Sequence, residues 1–382
     1  MIRVERRIGT PRHVKIAVPF ASLVLAAVIA GMVLAATGHD PLSTYHQMYN
    51  ASITAKGGLT STFVYATPML FAGLGAAIAF RMRTWNIGGE GQLYMGAVGA
   101  AVAGLALASW PRPLLILAMI LAGMLCGMLW AAIPGILRAY FRTNEILVSL
   151  MLNYVAGLFM YYLIYDSTSY LRDLTSASAK TFPQGKNLAA AASWPGVSLG
   201  SFTLPFGCIA GILVAVALWV IIRATRFGFE MSIIGDRPAA AGYAGIRTRR
   251  KIVAVMAISG AVAGFGGASQ IGDFGHVLDP RGLQQAGYGY TGIVVAALAL
   301  YDPLAVVLVA FLMGALTNAG NALQGTAFPA GLVGTMQGII LFCVLGGEIL
   351  ARYRVELRHP APPSEEPLDM AELPYLPTEV SR

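Results

Sequence analysis

The chain has 382 residues, 57% of them hydrophobic and 12% charged, with a mean hydropathy of +0.66. A water-soluble domain carries about 25% charged residues, so this composition excludes an ordinary soluble protein and makes the lipid bilayer the chain's solvent. A formal charge of +8 could suggest nucleic acid, but the charge follows membrane topology instead, and no nucleic-acid partner is expected.

Runs long enough for a hydrocarbon core of about 30 Å recur along the whole chain. They predict ten spans, at about 14–37, 61–82, 91–109, 114–137, 145–165, 206–223, 253–271, 286–300, 303–321 and 329–350. The first run follows a basic stretch, residues 1–13, and ends near Ala35-Ala36-Thr37, which resembles a signal-peptide cleavage site. A signal core is only about 7–15 residues long, so the longer run predicts an uncleaved span. Residues 166–205, with Pro183, Gly185, Pro195 and Gly196, predict a long extracytoplasmic loop that divides the spans five and five.

Cytoplasmic segments collect Lys and Arg. With the N-terminus inside, twenty of the 26 basic residues fall in cytoplasmic segments, and only Lys56, Arg112, Arg172, Lys180, Lys186 and Arg281 fall outside. Both termini are therefore expected in the cytoplasm. Two halves with an odd number of spans must run in opposite directions if they are related, the logic of inverted repeats. The fold class expected is all-α and polytopic, about ten transmembrane helices in two inverted five-helix halves. From about residue 355 the chain turns acidic and Pro-rich, with Pro360, Pro362, Pro363, Glu365 and Glu366, which predicts a disordered cytoplasmic tail.

The first polar interruption is Arg81-Met82-Arg83-Thr84-Trp85-Asn86-Ile87-Gly88-Gly89-Glu90-Gly91-Gln92. Three glycines in four positions weaken a helix by about 1 kcal/mol each. A broken helix here would offer Asn86, Glu90 and Gln92 to a solute. A tight cytoplasmic turn with Glu90 paired to Arg81 or Arg83 is the other reading. Between spans six and seven, about 224–252, lies a cytoplasmic segment too long for a simple turn. Asp236 can cap a helix there, with Arg237, Pro238, Ala239 and Ala240 in its first turns and Gly245 at its end. That helix is suited to a groove on a partner, and the competing reading is a loop that anchors its arginines to anionic headgroups. Gly260 to Gly264 and Gly334 to Gly338 have the spacing of small-residue packing seams.

Thr67-Pro68-Met69-Leu70-Phe71-Ala72-Gly73-Leu74 followed by Asn86-Ile87-Gly88-Gly89-Glu90-Gly91-Gln92 resembles the permease subunits of nucleoside-type ABC importers, in the ribose and branched-chain amino-acid permease superfamily. Asn144-Glu145-Ile146 with Met151-Leu152-Asn153-Tyr154, Gly235-Asp236-Arg237-Pro238-Ala239-Ala240-Ala241 with Gly245-Ile246, and Gly287-Tyr288-Gly289-Tyr290 fit the same pattern over about residues 60–350. Thr291 and Leu298-Ala299-Leu300-Tyr301 depart from it. The resemblance implies a permease domain over 14–354, and a solute pathway lined by Asn86, Glu90, Gln92, Asn153, Tyr288 and Tyr290. The two tyrosines could equally anchor at the membrane interface. It further implies that Gly235, Asp236, Arg237, Pro238, Ala239, Ala240 and Gly245 meet a cytoplasmic ABC ATPase.

Other implied partners are a second permease subunit, identical or related, and an extracytoplasmic substrate-binding protein, all at a bacterial cytoplasmic membrane. The chain itself is expected to bind no cofactor, with ATP and Mg2+ used by the ATPase. In keeping with this, it holds no G-x-x-x-x-G-K-[ST] loop, the nearest approach being Gly185-Lys186-Asn187, and no HExxH or Ser-His-Asp arrangement. Cys126, Cys208 and Cys343 lie in apolar runs, and the five histidines lack ligand spacing, so no metal is expected. The solute implied is a nucleoside, or alternatively a simple sugar. An ion-coupled transporter using Glu90 is the rival from another class.

Overall fold

The computed structural model describes residues 2–6, 12–324 and 331–357. In chain order these form strand β1 (Ile2–Arg6) and helices α1 (Arg12–Ala36), α2 (Pro41–Tyr49), α3 (Gly58–Arg81), α4 (Gly89–Ala106), α5 (Arg112–Phe141), α6 (Glu145–Tyr161) and α7 (Ala177–Thr181). Strands β2 (Gly196–Leu199) and β3 (Phe202–Pro205) pair antiparallel before α8 (Phe206–Ala224). There follow α9 (Arg226–Asp236), α10 (Pro238–Tyr243), α11 (Thr248–Ser269), α12 (Pro280–Ala286), α13 (Tyr288–Leu298), α14 (Pro303–Leu323), α15 (Gly331–Arg352) and strand β4 (Tyr353–Leu357), which pairs with β1. Residues 355–357 of the expected disordered tail belong to β4, and the rest of it lies outside the described residues.

The fold is all-α in its membrane-forming part. Among the described residues six helices are long and apolar enough to cross a bilayer, and a seventh joins them if α1 and the Pro41–Thr54 stretch, bent by 116°, count as one span. Each of the ten expected runs contains a helix, but the expected ten spans are not reached: α4, α13 and α15, whose apolar part is Gly334–Val344, fall short among the described residues. The polar start of α4 lowers its hydropathy, and a break at Gly287 leaves α13 with 11 residues.

Chemistry at helix starts explains several boundaries. Asp40, Asp279 and Asp302 each precede a proline and accept a hydrogen bond from a backbone N–H of the helix that follows, so each combines an N-cap with a proline at the first helical position. Helices α6, α11 and the stretch leading into α3 carry single π-helical turns at one end, Tyr162–Asp166, Gln270–Gly275 and Asn50–Thr54.

Helix α3 is the centre of the bundle, with 83% of its most apolar stretch buried, whereas α5 and α6 bury only 28% of theirs. On α5, Leu117, Leu121, Leu125 and Leu129 are exposed at intervals of four, while Met119, Gly123, Gly127 and Ala131 are buried on the opposite side. A leucine stripe on the outside suits lipid and not water. Inward, small residues bring backbones together: a Cβ on Gly264 would strike the Gly123 carbonyl, and one on Gly260 the Gly127 carbonyl. The expected seam at Gly260 and Gly264 thus packs α11 on α5. Gly334 and Gly338 meet nothing within 4 Å, so that spacing makes no seam among the described residues.

Candidate functional site

After Arg81 the chain does not run straight into the next helix. Arg83 takes a left-handed conformation (φ 55°), and residues 82–88 turn back into the protein before α4 begins at Gly89. Ser259 on α11 donates to the Gly75 carbonyl at 2.6 Å, and Asn86 donates to Ser259 Oγ at 2.8 Å. Gly75 lies six residues before the end of α3, or about 9 Å along the helix axis. Helix α4 therefore starts inside the bundle. Unwound backbone is tolerated at membrane depth only where protein or water satisfies it, and here side chains do so. Asn86 and Gln92 exchange hydrogen bonds at 3.0 and 2.9 Å, and Gly88 N–H donates to Asn86 Oδ1 at 3.0 Å. Asn153 on α6 accepts from Gly91 N–H and donates to the Ile87 carbonyl, both at 2.9 Å. Ile87 N–H donates to Ser149 Oγ at 3.3 Å.

Glu90 ties this segment to a second interrupted helix. Its Oε2 accepts from the backbone N–H groups of Gly289 (2.5 Å) and Tyr290 (3.0 Å), the first donors of α13, and Tyr94 donates to its Oε1 at 2.6 Å. A carboxylate at a helix N-terminus satisfies free donors and meets the positive end of the helix dipole. Gly289 is small enough to let the two backbones touch: a Cβ there would collide with Glu90 N and Cα. The starts of α4 and α13 are thus joined through one carboxylate buried to 1% exposure.

The expected pathway residues fall on different sides of this junction. Asn86, Glu90 and Gln92 are buried within it. Asn153 and Tyr290, whose OH lies 3.4 Å from Asn153 Nδ2, also line a cavity of about 360 Å³ with Tyr94, Tyr154, Tyr161 and Gln284. Tyr288 faces the other way, into a chamber of about 930 Å³ between α3, the end of α11, α12–α13 and α14. Two residues on one turn of α13 therefore open onto two cavities, with Gly289 and Glu90 between them. Among the described residues no group of three or more His, Cys, Asp or Glu is placed to hold a metal.

Several contributors were not singled out in the sequence. Ser259, Ser149 and Tyr94 complete the junction, and Gln270, Tyr65 and Phe274 line the larger chamber. The only sequence signal for Ser259 and Gln270 is a polar residue inside a glycine-rich apolar run.

Residues 58–345 match the family described as branched-chain amino acid transport system / permease component. The chain belongs to this permease family. It is 30% identical to the glucose ABC transporter permease protein TsgB13 of Haloferax volcanii over 96% of its own length and 97% of that protein's. It is 33% identical to the guanosine ABC transporter permease protein NupP of Bacillus subtilis, covering 86% and 92% of the two chains. To the nucleoside ABC transporter permease protein NupB of Lactococcus lactis it is 27% identical, covering 86% and 90%. No solved structure matches the chain significantly. It is a transport component and not itself an enzyme.

The permease carries its long inter-helical segment as two helices, not one. Asp236 closes α9 instead of capping α10, and its carboxylate pairs with Arg83 at 3.2 Å. The N-cap of α10 is Arg237, without a side-chain hydrogen bond, and Pro238 occupies the first turn. This corrects the expected cap: Asp236 is the last residue of α9, which puts Arg237 in the cap position of α10. Gly245 (φ 70°) follows the end of α10 as expected, with Gly245 N–H donating to the Gly242 carbonyl and Ile246 N–H to that of Ala241, the paired bonds of a Schellman C-terminus. Ala239 and Ala240 are exposed, Tyr243 is 95% exposed, and Gly235 is buried against the Arg81 carbonyl. Behind this surface α9 is fastened to α11: Glu230 accepts from Arg226 at 2.8 Å and pairs with Lys251 at 2.6 Å.

Proposed function

We propose that this permease is the membrane-spanning subunit of an ATP-driven ABC importer for an uncharged, hydroxylated solute, a nucleoside first and a simple sugar second. The observation that carries this reading is similarity over 86% or more of the chain to permeases named for guanosine, nucleosides and glucose. The sugar reading is kept because the match to the glucose permease spans 96% of the chain. The junction of two interrupted helices supports a route through this part of the bundle, since unwound backbone at membrane depth is found beside cavities. In this reading the chain crosses a bacterial cytoplasmic membrane ten times, in two inverted halves with both termini inside, and α4 and α13 are its short spans.

The partners follow from the same reading. Two cytoplasmic ATPases bind and hydrolyse ATP with Mg2+, and this chain holds no cofactor. A second permease and an extracytoplasmic binding protein complete the assembly. Helix α10, with its exposed Ala239, Ala240 and Tyr243, seats in the ATPase, and Gly235 to Gly245 form the lever. Asn86, Glu90, Gln92, Asn153, Tyr288 and Tyr290 shape the route.

The test is uptake into proteoliposomes holding the permease with its ATPase and binding protein. Labelled guanosine should accumulate with ATP inside, and glucose less or not at all. Accumulation driven by a proton or sodium gradient without ATP would replace the importer reading with ion-coupled transport.

A further inference from the structure

Most buried polar side chains of this permease have a partner, the enclosed Trp130 Nε1, Thr143 Oγ1, Arg172 Nε and Trp194 Nε1 being exceptions among the described residues. Asn86, Glu90, Gln92, Asn153, Ser259 and Asn318 all hydrogen-bond within the chain. Gln270 and Tyr288 do not. Gln270 is 6% exposed and Tyr288 5% exposed. Neither the Gln270 amide nor the Tyr288 hydroxyl hydrogen-bonds to the described residues, and both side chains line the chamber of about 930 Å³. A glutamine amide has two donor hydrogens and a carbonyl acceptor, and a phenol can donate and accept. Buried groups of this kind are nearly always paired with protein, water or ligand.

The rest of the chamber wall says what would satisfy them. Tyr65 and Phe274 face each other with ring centroids 6.4 Å apart and planes tilted by 50°. With the Tyr288 ring they offer flat apolar faces beside the free amide. Asn321 and Gln324 add amides on α14 and just beyond it. The only charged side chain among the described lining residues is the Asp279 carboxylate, whose Oδ1 accepts from Arg281 N–H at 3.1 Å. No Lys, Arg or His among them is placed to neutralise a phosphate. The volume lies within the roughly 300–1,000 Å³ usual for small-ligand sites.

We infer that this chamber is a solute site contained within one permease chain, in which Gln270 and Tyr288 hydrogen-bond an uncharged nucleoside, Tyr65 and Phe274 hold its base by stacking, and phosphorylated nucleosides are refused. The amide edge of Gln270 suits the donor–acceptor edge of a base, and the rings suit its faces. Among the described lining residues a phosphate would meet Asp279 and no cation. The inference rests on the transport reading above.

The test uses the permease with its ATPase and binding protein in lipid vesicles. Gln270→Leu keeps the side chain's bulk and removes the amide that would hydrogen-bond the solute. It is expected to assemble with the ATPase and to raise the guanosine concentration for half-maximal uptake by about tenfold or more. Tyr288→Phe should raise it by about threefold or more. Gln270→Cys should react with a thiol reagent and be protected by guanosine, and not by guanosine monophosphate or glucose. If Gln270→Leu proves unstable, the protection experiment on Gln270→Cys decides. Wild-type uptake of guanosine with unchanged half-saturation in Gln270→Leu overturns the chamber and leaves the transport reading standing. Equal protection by the monophosphate, or protection by glucose alone, overturns it too. If the wild type takes up neither guanosine nor glucose with ATP, the transport reading fails and the chamber with it.

Discussion

The helix-start junction around Glu90 and the chamber beneath Gln270 lie on either side of the same turn of α13, and both are built from amides, tyrosines and glycines. They differ in where their hydrogen bonds go. In the junction every group closes on another part of the chain: Glu90 on α13, Asn86 on Gln92 and Ser259, Asn153 on the unwound backbone. In the chamber the Gln270 amide and the Tyr288 hydroxyl, on largely buried residues, open onto the cavity and pair with nothing among the described residues. A satisfied polar group in a low-dielectric interior fixes a shape, while an unsatisfied one leaves a free-energy gain for whatever enters. Glu90 thus holds the turn that places Tyr288 on one cavity and Tyr290 on the other, and the Gln270 amide is left open to the chamber.

The harshest way to break the junction is to fill its one necessary gap. In Gly289→Ala the new methyl meets backbone atoms of Glu90, which cannot rotate aside as a side chain would. Overpacking of this kind costs about 1–3 kcal/mol or more. Sharply lowered yield and thermal stability in lipid nanodiscs are expected; wild-type stability would mean that the two helix starts do not touch. Next comes Glu90→Ala, which leaves the donors of Gly289 and Tyr290 buried and unpaired at about 1–3 kcal/mol. Glu90→Gln keeps an acceptor and should recover part of that loss. Equal stability of the two variants would show that charge, not hydrogen bonding, holds the start of α13.

Much of the architecture was legible because its signals are local. Apolar runs place the helices, and the Asp-Pro pairs at Asp40, Asp279 and Asp302 mark helix starts. The break at Gly287 was not legible, since a glycine between apolar stretches looks like the many glycines that merely pack. Asp236 misled for a different reason: as a local cap it was plausible, but it is the last residue of α9, and its partner Arg83 lies 153 residues upstream. At the site, Asn86, Glu90 and Gln92 stood out at a polar, glycine-rich interruption of apolar runs, and Asn153 through the family resemblance. Their roles depend on partners as far away as Gly289, 199 residues from Glu90, and no spacing rule reaches so far. Gln270 was passed over because nothing in sequence distinguishes a paired amide from an unpaired one.

A smaller pair of changes sharpens the contrast by moving stability in opposite directions. Ser259→Ala removes the group bridging Asn86 to Gly75 and should cost about 1 kcal/mol. Gln270→Leu removes an amide with no partner, so stability should be unchanged or rise within about 0.5 kcal/mol, even as solute affinity falls. Thermal unfolding of both in the same nanodiscs decides the matter. A loss for Gln270→Leu as large as that for Ser259→Ala would mean that Gln270 is architectural after all.

The smallest effect concerns a third arrangement, satisfied like the junction but at the water's edge. Glu230 is 9% exposed and holds Lys251 and Arg226, which are 23% and 91% exposed at their side chains. The hydrogen bond from Lys251, then that from Arg226, keeps the Glu230 carboxyl below its ordinary value of 4.5, against the opposing effect of burial. A carboxyl with a depressed folded-state pKa binds protons less readily when folded than when unfolded. Its stabilising contribution is therefore complete above 4.5 and disappears as the pH falls through the depressed value. Relative to the intrinsic amide exchange rate at each pH, protection of the α9 backbone should fall on acidification in the wild-type permease. In Glu230→Gln protection should be lower already at neutral pH and nearly indifferent to acid, because the pair is gone in both conditions. Screening by salt should weaken the wild-type protection as well, since Arg226 lies almost wholly in solvent. The two carboxylates then separate cleanly. Glu90, enclosed by backbone donors and a tyrosine, should be insensitive to salt, and Glu230, fastened by side-chain cations, should not. If α9 exchanged at the same rate in both proteins at every pH, the ion pairs would not be what fastens it to α11, and α9 would have to be held through its buried Gly228, Met231, Ile234 and Gly235.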